Sequence, residues 1–200
     1  MVYKRKPKRY ITRLLPKVYI STRLSKTIEN SLLELGMFTG DYSKCIHITQ
    51  SFYLLGFKNN YSFYDAPKSL LLFKNALSFL KNAAKKPKTL FIFVGAPSGS
   101  DEQTQLYFRI LHLKCVFFLP AEWDPGFISK QISTKNVVLI LYDINTNSAA
   151  CHEGLKANIP IVGFATPSCN IQGIDYPVLI NLSTNALWYS KLILALFRNS

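Results

Sequence analysis

Hydrophobic positions in this chain fall into two kinds of pattern. Three unbroken apolar runs have strand length: Thr89 to Val94, Cys115 to Leu119 and Val137 to Tyr142, with a fourth from Ile161 to Ala165. Runs without polar alternation are what parallel strands buried on both faces require. Between and around them the spacing turns helical. Leu70, Phe73, Leu77 and Leu80 recur at three and four residues behind Asp65 as a cap and Pro67 in the first turn, which predicts an amphipathic helix ending at Lys85, Lys86 and Lys88. Asn147 or Ser148 caps a further predicted helix through Glu153 and Lys156, which Asn158 and Pro160 stop. Residues 136–183 therefore read as strand, turn, helix, strand and loop, a βαβ unit that implies a parallel sheet.

The remaining segments fit the same alternation. Residues 28–35 read as a short helix stopped by Gly36, residues 101–111 as a helix after the Gly95 loop, and residues 184–197 as a closing helix. Phe52 to Tyr64 reads as two short strands or extended pieces around a Lys58-Asn59-Asn60 turn. Its aromatics are expected mostly to pack into a core, with stacking on nucleic-acid bases as the alternative and Lys58 kept as a contact. Trp123 with Pro125 and Gly126 marks a shaped surface loop plugged by the indole, and residues 129–135 are a short polar link. Strand and helix in alternation predict a doubly wound, three-layer α/β domain.

Charge changes this picture at one end only. The chain of 200 residues carries a net +13 with a mean hydropathy of +0.11. Nine basic residues (Lys4, Arg5, Lys6, Lys8, Arg9, Arg13, Lys17, Arg23 and Lys26) and no acid lie in residues 1–28. The other fifteen basic and all eleven acidic residues lie beyond, leaving a net +4 there. The organisation is thus a basic arm over residues 1–28 and one α/β domain over 29–200. Such an arm is driven onto a polyanion by counterion release, and nucleic acid is the expected partner. A targeting segment, or contact with an anionic membrane surface, is the alternative reading of the same composition. No run reaches the ~18 apolar residues of a membrane span.

Candidate chemistry is sparse. The cysteines, Cys45, Cys115, Cys151 and Cys169, have neither zinc nor redox spacing. The three histidines are His47 in a polar loop, His112 on a helix flank and His152 beside Cys151; neighbours on a helix point about 100° apart, so those two form no couple. Asp143 at a strand end and Glu153 one helix later are the best-placed acids, with no nucleophile beside them. The loop after Val94 lacks a phosphate-binding glycine pattern, and Asp101-Glu102 behind it disfavours a phosphate. The expectation is a protein without catalysis, metal or cofactor. A nucleotide- or sugar-phosphate-binding enzyme is the rival.

In order and spacing, residues 31–197 resemble the ribosomal protein S-two family of the small ribosomal subunit. The resemblance rests on Leu32-Leu33-Glu34-Leu35-Gly36, on Phe52 to Asn59 with Gly56, Lys58 and Asn59, on Asp65 to Ser69, on Thr89 to Gly95, and on Phe117 to Lys130 with Trp123 and Gly126. Its longest part is Val137 to Asn181, where Ile159, Pro160, Asn170, Ile174, Asp175, Tyr176, Pro177 and Asn181 fall on matching positions. The resemblance implies a flavodoxin-like or Rossmann-like parallel sheet and a structural role. Its partners would be small-subunit rRNA and neighbouring small-subunit proteins, with neither membrane nor small-molecule substrate. Lys58, Asn59, Lys85, Lys86 and Lys88 join the arm as expected rRNA contacts. Trp123, Gly126, Asp175, Tyr176 and Asn181 are expected to shape loops or dock proteins.

Several positions depart from that family. Residues 129–135 stand where bacterial members carry a long helical hairpin. Phe38, Thr39 and Asp41 replace its opening histidine pattern, Pro97-Ser98-Gly99 a basic pair, and Glu122 an arginine. The lost hairpin, the added arm and the use of Lys, Asn, Ile, Phe and Tyr suggest a shortened mitochondrial-type member, with another organellar or a bacterial-type ribosome as the alternative.

Overall fold

The structure, a computed structural model, describes residues 36, 38–42, 46–86, 88–95, 116–119, 123–131 and 136–179. In chain order its strands are β1 (Thr39–Tyr42), β2 (Leu54–Lys58), β3 (Tyr61–Tyr64), β4 (Leu90–Val94), β5 (Val116–Leu119), β6 (Val137–Leu141), β7 (Ile161–Phe164) and β8 (Tyr176–Val178). The helices are α1 (Ala66–Ala84), α2 (Phe127–Gln131) and α3 (Ser148–Lys156), and a 3-10 turn spans Ile48–Tyr53. The expected helices over 28–35, 101–111 and 184–197 lie outside the described residues.

Five strands form a parallel sheet in the order β5-β4-β6-β7-β8. Every residue of β6 and β7 is buried, which is why these stretches are apolar without alternation. Register assigns the faces. Leu139 pairs with Ile161, and a Cβ on Gly154 of α3 would lie 2.9 Å from Leu139 and 3.2 Å from Ile161. So α3 sits on the face of Leu139 and Ile161, and its close approach requires that glycine. Tyr176 pairs with Val162, which points the other way, and its ring stacks on Phe79 of α1 at 4.2 Å. Helix α1 therefore covers the opposite face, and the domain is helix, sheet and helix in three layers.

The helix ends differ from expectation in chemistry more than in place. Asp65 precedes α1, but its side chain caps no backbone N–H; its carboxylate pairs with Lys68 at 3.0 Å instead. Asn147 likewise precedes α3 without a side-chain cap, its amide donating to the Asp143 carbonyl at 2.9 Å. The C-terminus of α3 is the anticipated stop. Asn158, at φ 52°, donates to the Leu155 carbonyl and Ile159 to the Gly154 carbonyl, the reciprocal pair that closes a helix through a left-handed residue.

A second, three-stranded antiparallel sheet, β1-β3-β2, lies ahead of α1. The hairpin within it was anticipated, and Asn59 and Asn60 hold φ of 52° and 66°, as a two-residue turn that matches strand twist demands. β1 was not anticipated. Phe52 and Tyr53, expected in a strand, end the 3-10 turn instead, and residues 129–131 of the expected polar link belong to α2.

Candidate nucleic-acid interface

The nine arm cations (Lys4, Arg5, Lys6, Lys8, Arg9, Arg13, Lys17, Arg23 and Lys26), Asn181, and the departures at Pro97 to Gly99 and Glu122 lie outside the described residues. Of the remaining expected contacts, Lys58 and Asn59 are exposed at the β2–β3 tip, and Lys85, Lys86 and Lys88 are exposed where α1 turns into β4. The two groups attach to opposite ends of α1, whose 19 residues span about 28 Å. They are two basic patches and not one. Lys88 holds φ 63°, and the turn is tied by Thr89 Oγ1 donating to the Lys86 carbonyl at 3.1 Å.

Trp123 and Gly126 are brought together by Glu153, one of the two acids that the sequence places best. One Glu153 carboxylate oxygen accepts from the Trp123 indole Nε1 at 2.8 Å and from the Gly126 N–H at 3.0 Å; the other accepts from the Ile128 N–H at 2.9 Å. Glu153 thereby satisfies otherwise orphaned donors at the start of α2 and fixes the Trp loop to α3. Trp123 is buried, with its ring 5.3 Å from that of Phe127. Asp175 and Tyr176 also act within the domain. Asp175 accepts from the Ile161 N–H at 3.0 Å, fixing the start of β7, and Tyr176 joins α1 through Phe79. Beside that stack, Asn75 and Ser78 of α1 and Pro177 line an open groove of about 400 Å³.

Among the described residues, the loops after β6 and β7 at the carboxyl edge of the parallel sheet, where an α/β enzyme holds its ligand, are tied by contacts within the chain. Gly95 follows β4 at φ 78°, and a Cβ there would lie 2.9 Å from the Asn147 amide. Asp143 accepts from the Asn145 N–H at 3.1 Å. Under the loop after β7, fully buried Gln50 donates to the carbonyls of Thr166 at 2.6 Å and Cys169 at 2.8 Å, and accepts from Tyr64 Oη at 3.2 Å. Tyr64 also reaches the Ala165 carbonyl at 3.2 Å, and the His47 N–H donates to the Pro167 carbonyl at 2.9 Å. This junction locks the small sheet to the large one. No local pattern announces it, because the carbonyls that Gln50 bonds, Thr166 and Cys169, are more than a hundred residues away.

Cys151 and Cys169 are buried free thiols. Burial pushes both thiols up, and the Asp143 carboxylate adds to the effect at Cys169, so both stay protonated and poorly nucleophilic near neutral pH. His47 caps the 3-10 turn, its Nδ1 accepting from the Thr49 N–H at 3.3 Å. Among the described residues, no three His, Cys, Asp or Glu side chains group to hold a metal, and no helix is long and apolar enough to cross a membrane. The aromatics of the 52–64 segment divide, contrary to the expectation that most enter the core. Tyr64 is buried and Tyr53 and Phe63 are half-buried, whereas Phe52, Phe57 and Tyr61 are 68%, 48% and 47% exposed. In comparisons with known proteins, no family model and no curated protein matches the chain.

Proposed function

We propose that the protein is a structural constituent of the small ribosomal subunit, similar to the S-two family, that binds small-subunit rRNA and neighbouring proteins in a mitochondrial ribosome. One observation carries the proposal. The stretches that resemble the family from Phe52 to Val178 fall on successive described elements: the end of the 3-10 turn with β2, the start of α1, β4, the Trp loop with α2, and the β6-α3-β7-β8 unit. A flavodoxin-like arrangement belongs to the same reading. Numbered along the chain, the parallel strands lie in the order second, first, third, fourth, fifth, which supports it.

In this reading the protein works by position, without catalysis, cofactor or small-molecule substrate. The arm and the two basic patches neutralise phosphates, while the Trp loop and the β8 edge present fixed surfaces to neighbouring proteins. Neutralising about five phosphates through the arm gives a log–log salt slope for rRNA binding near −4. Deleting residues 1–26 should flatten that slope, measured by filter binding between 50 and 300 mM salt. An unchanged slope contradicts the role given to the arm. Saturable binding of a mononucleotide, lost on Asp143→Asn, would replace the ribosomal reading with the enzyme.

A further inference from the structure

We infer that the outward face of α1, from Lys74 to Lys85 and on to Lys88, binds the phosphate backbone of an RNA duplex. This rests on the rRNA-binding reading and adds two contacts, Lys74 and Lys81, and the form of RNA that is held. At about 100° per residue, Lys74, Lys81 and Lys85 fall within about 40° of one another around the helix, and the row rises about 16 Å along its axis. Lys85 keeps helical backbone angles, φ −73° and ψ −19°, so it continues the row. The buried Ala76, Leu80 and Ala83 lie on the opposite side of the helix. Lys81, Lys85, Lys86 and Lys88 are exposed and Lys74 is half-buried. Among the described residues none of the five pairs with an acid, whereas Lys68 at the head of the helix is held by Asp65.

Charge identifies the occupant. Residues 66–100 hold six lysines and no acid. The groove that flanks this face is lined by one carboxylate, Asp175, beside Asn75, Ser78 and Asn82. Five lysines against that one acid leave the face strongly positive. The dipole at the end of α1 accounts for lysines in its last turn, but not for Lys74 in its middle. Lys81 and Lys85, four residues apart with like charge, repel each other, a cost that a bound polyanion relieves. No aromatic residue of α1 is exposed, and Phe79 is already stacked on Tyr176, so the row gives an unpaired base no ring to stack on. Ammonium groups in a straight row suit phosphates, and the amides and hydroxyl of Asn75, Asn82 and Ser78 beside them suit ribose hydroxyls. Those are the contacts by which proteins hold duplex RNA.

The test uses the full chain with a fluorescein-labelled 20-base-pair RNA duplex, and separately with one of its strands, with anisotropy read at several salt concentrations. The double variant Lys74→Gln/Lys81→Gln, which keeps helix propensity, should weaken duplex binding about 10-fold at 150 mM salt and make the log–log salt slope shallower by about 1.8. Lys156→Gln, exposed on α3 at the other face of the sheet, should bind as the parent does. Circular dichroism and the urea midpoint establish that each variant is folded. A parental slope on the duplex in the folded double variant overturns the inference, as does a loss confined to the single strand. A double variant that keeps its duplex affinity but leaves the small subunit also overturns it, and gives the face to an acidic protein instead. If the parent travels with the small subunit while the double variant binds the duplex unchanged, the α1 face alone fails and the ribosomal reading stands. If the parent does not travel with the subunit, that reading fails and the inference with it.

Discussion

Replacing Gln50 with leucine is expected to cost the domain about 3 kcal/mol of stability, one of the two largest losses we anticipate from any single change. Leucine nearly conserves volume, so the loss is of hydrogen bonding and not of packing. The Cys169 carbonyl loses its side-chain donor at 2.8 Å, the Thr166 carbonyl loses its donor at 2.6 Å and keeps the Cys169 N–H at 3.0 Å, and Tyr64 Oη loses one of its two acceptors. A buried carbonyl stripped of its partner costs about 1–3 kcal/mol, while removing the weaker partner by Tyr64→Phe should cost only about 1 kcal/mol. Urea unfolding followed by circular dichroism reads both. If Gln50→Leu moves the midpoint no further than Tyr64→Phe, the junction does not hold the two sheets together.

Glu153→Ala is expected to cost about 2–4 kcal/mol, because three donors lose a charged acceptor together. The figure is set below a simple sum because the cluster is only partly buried and hydrogen bonds on one carboxylate are not additive. Glu153→Gln keeps one acceptor oxygen but turns an NH2 toward the other donors, so it should recover less than half of the loss. The indole reports directly on this site. In a Trp188→Phe background, Glu153→Ala should shift Trp123 emission to the red as the loop opens to water. A destabilised variant with unshifted emission would mean that Glu153 stabilises α3 alone and leaves the Trp loop in place.

These two residues also mark where the sequence stops being readable. β4, β6 and β7 announce themselves because a parallel strand covered on both faces has to be apolar throughout. The α1 stripe was legible because one side of that helix meets the sheet, although Ala66, Ala76 and Ala83 turn out to be buried with Leu70 and Leu80. The hairpin was legible from two adjacent asparagines that tolerate positive φ. Gln50 and Glu153 gave no such sign. A polar residue in a polar stretch looks solvated unless its partners are known, and theirs lie 14 to 119 residues away.

The interface was legible in part for the same reason. Charge is local in sequence, so Lys58 and the Lys85 to Lys88 group could be singled out, whereas their separation by the length of α1 could not. The aromatics of the hairpin were expected mostly in the core, since strand propensity does not say which face of a strand is covered. Register says it: Ser62 and Tyr64 are sealed against the loop after β7, which leaves Tyr61 and Phe63 on the outer side. No sequence pattern marks β1, because Thr39 to Tyr42 has no apolar alternation. Gly40 explains its close fit there, since a Cβ would press on the Ser62 hydroxyl and lie 2.5 Å from the Pro167 ring.

The most direct test of the ribosomal reading is sedimentation. Epitope-tagged protein, expressed in its own cells, is followed through a sucrose gradient of mitochondrial lysate at 0.5 M salt. The protein is expected to travel with the small subunit, and ribonuclease treatment is expected to release it to the top of the gradient. Protein that stays at the top without ribonuclease, in lysates whose small subunits are intact, contradicts the assignment.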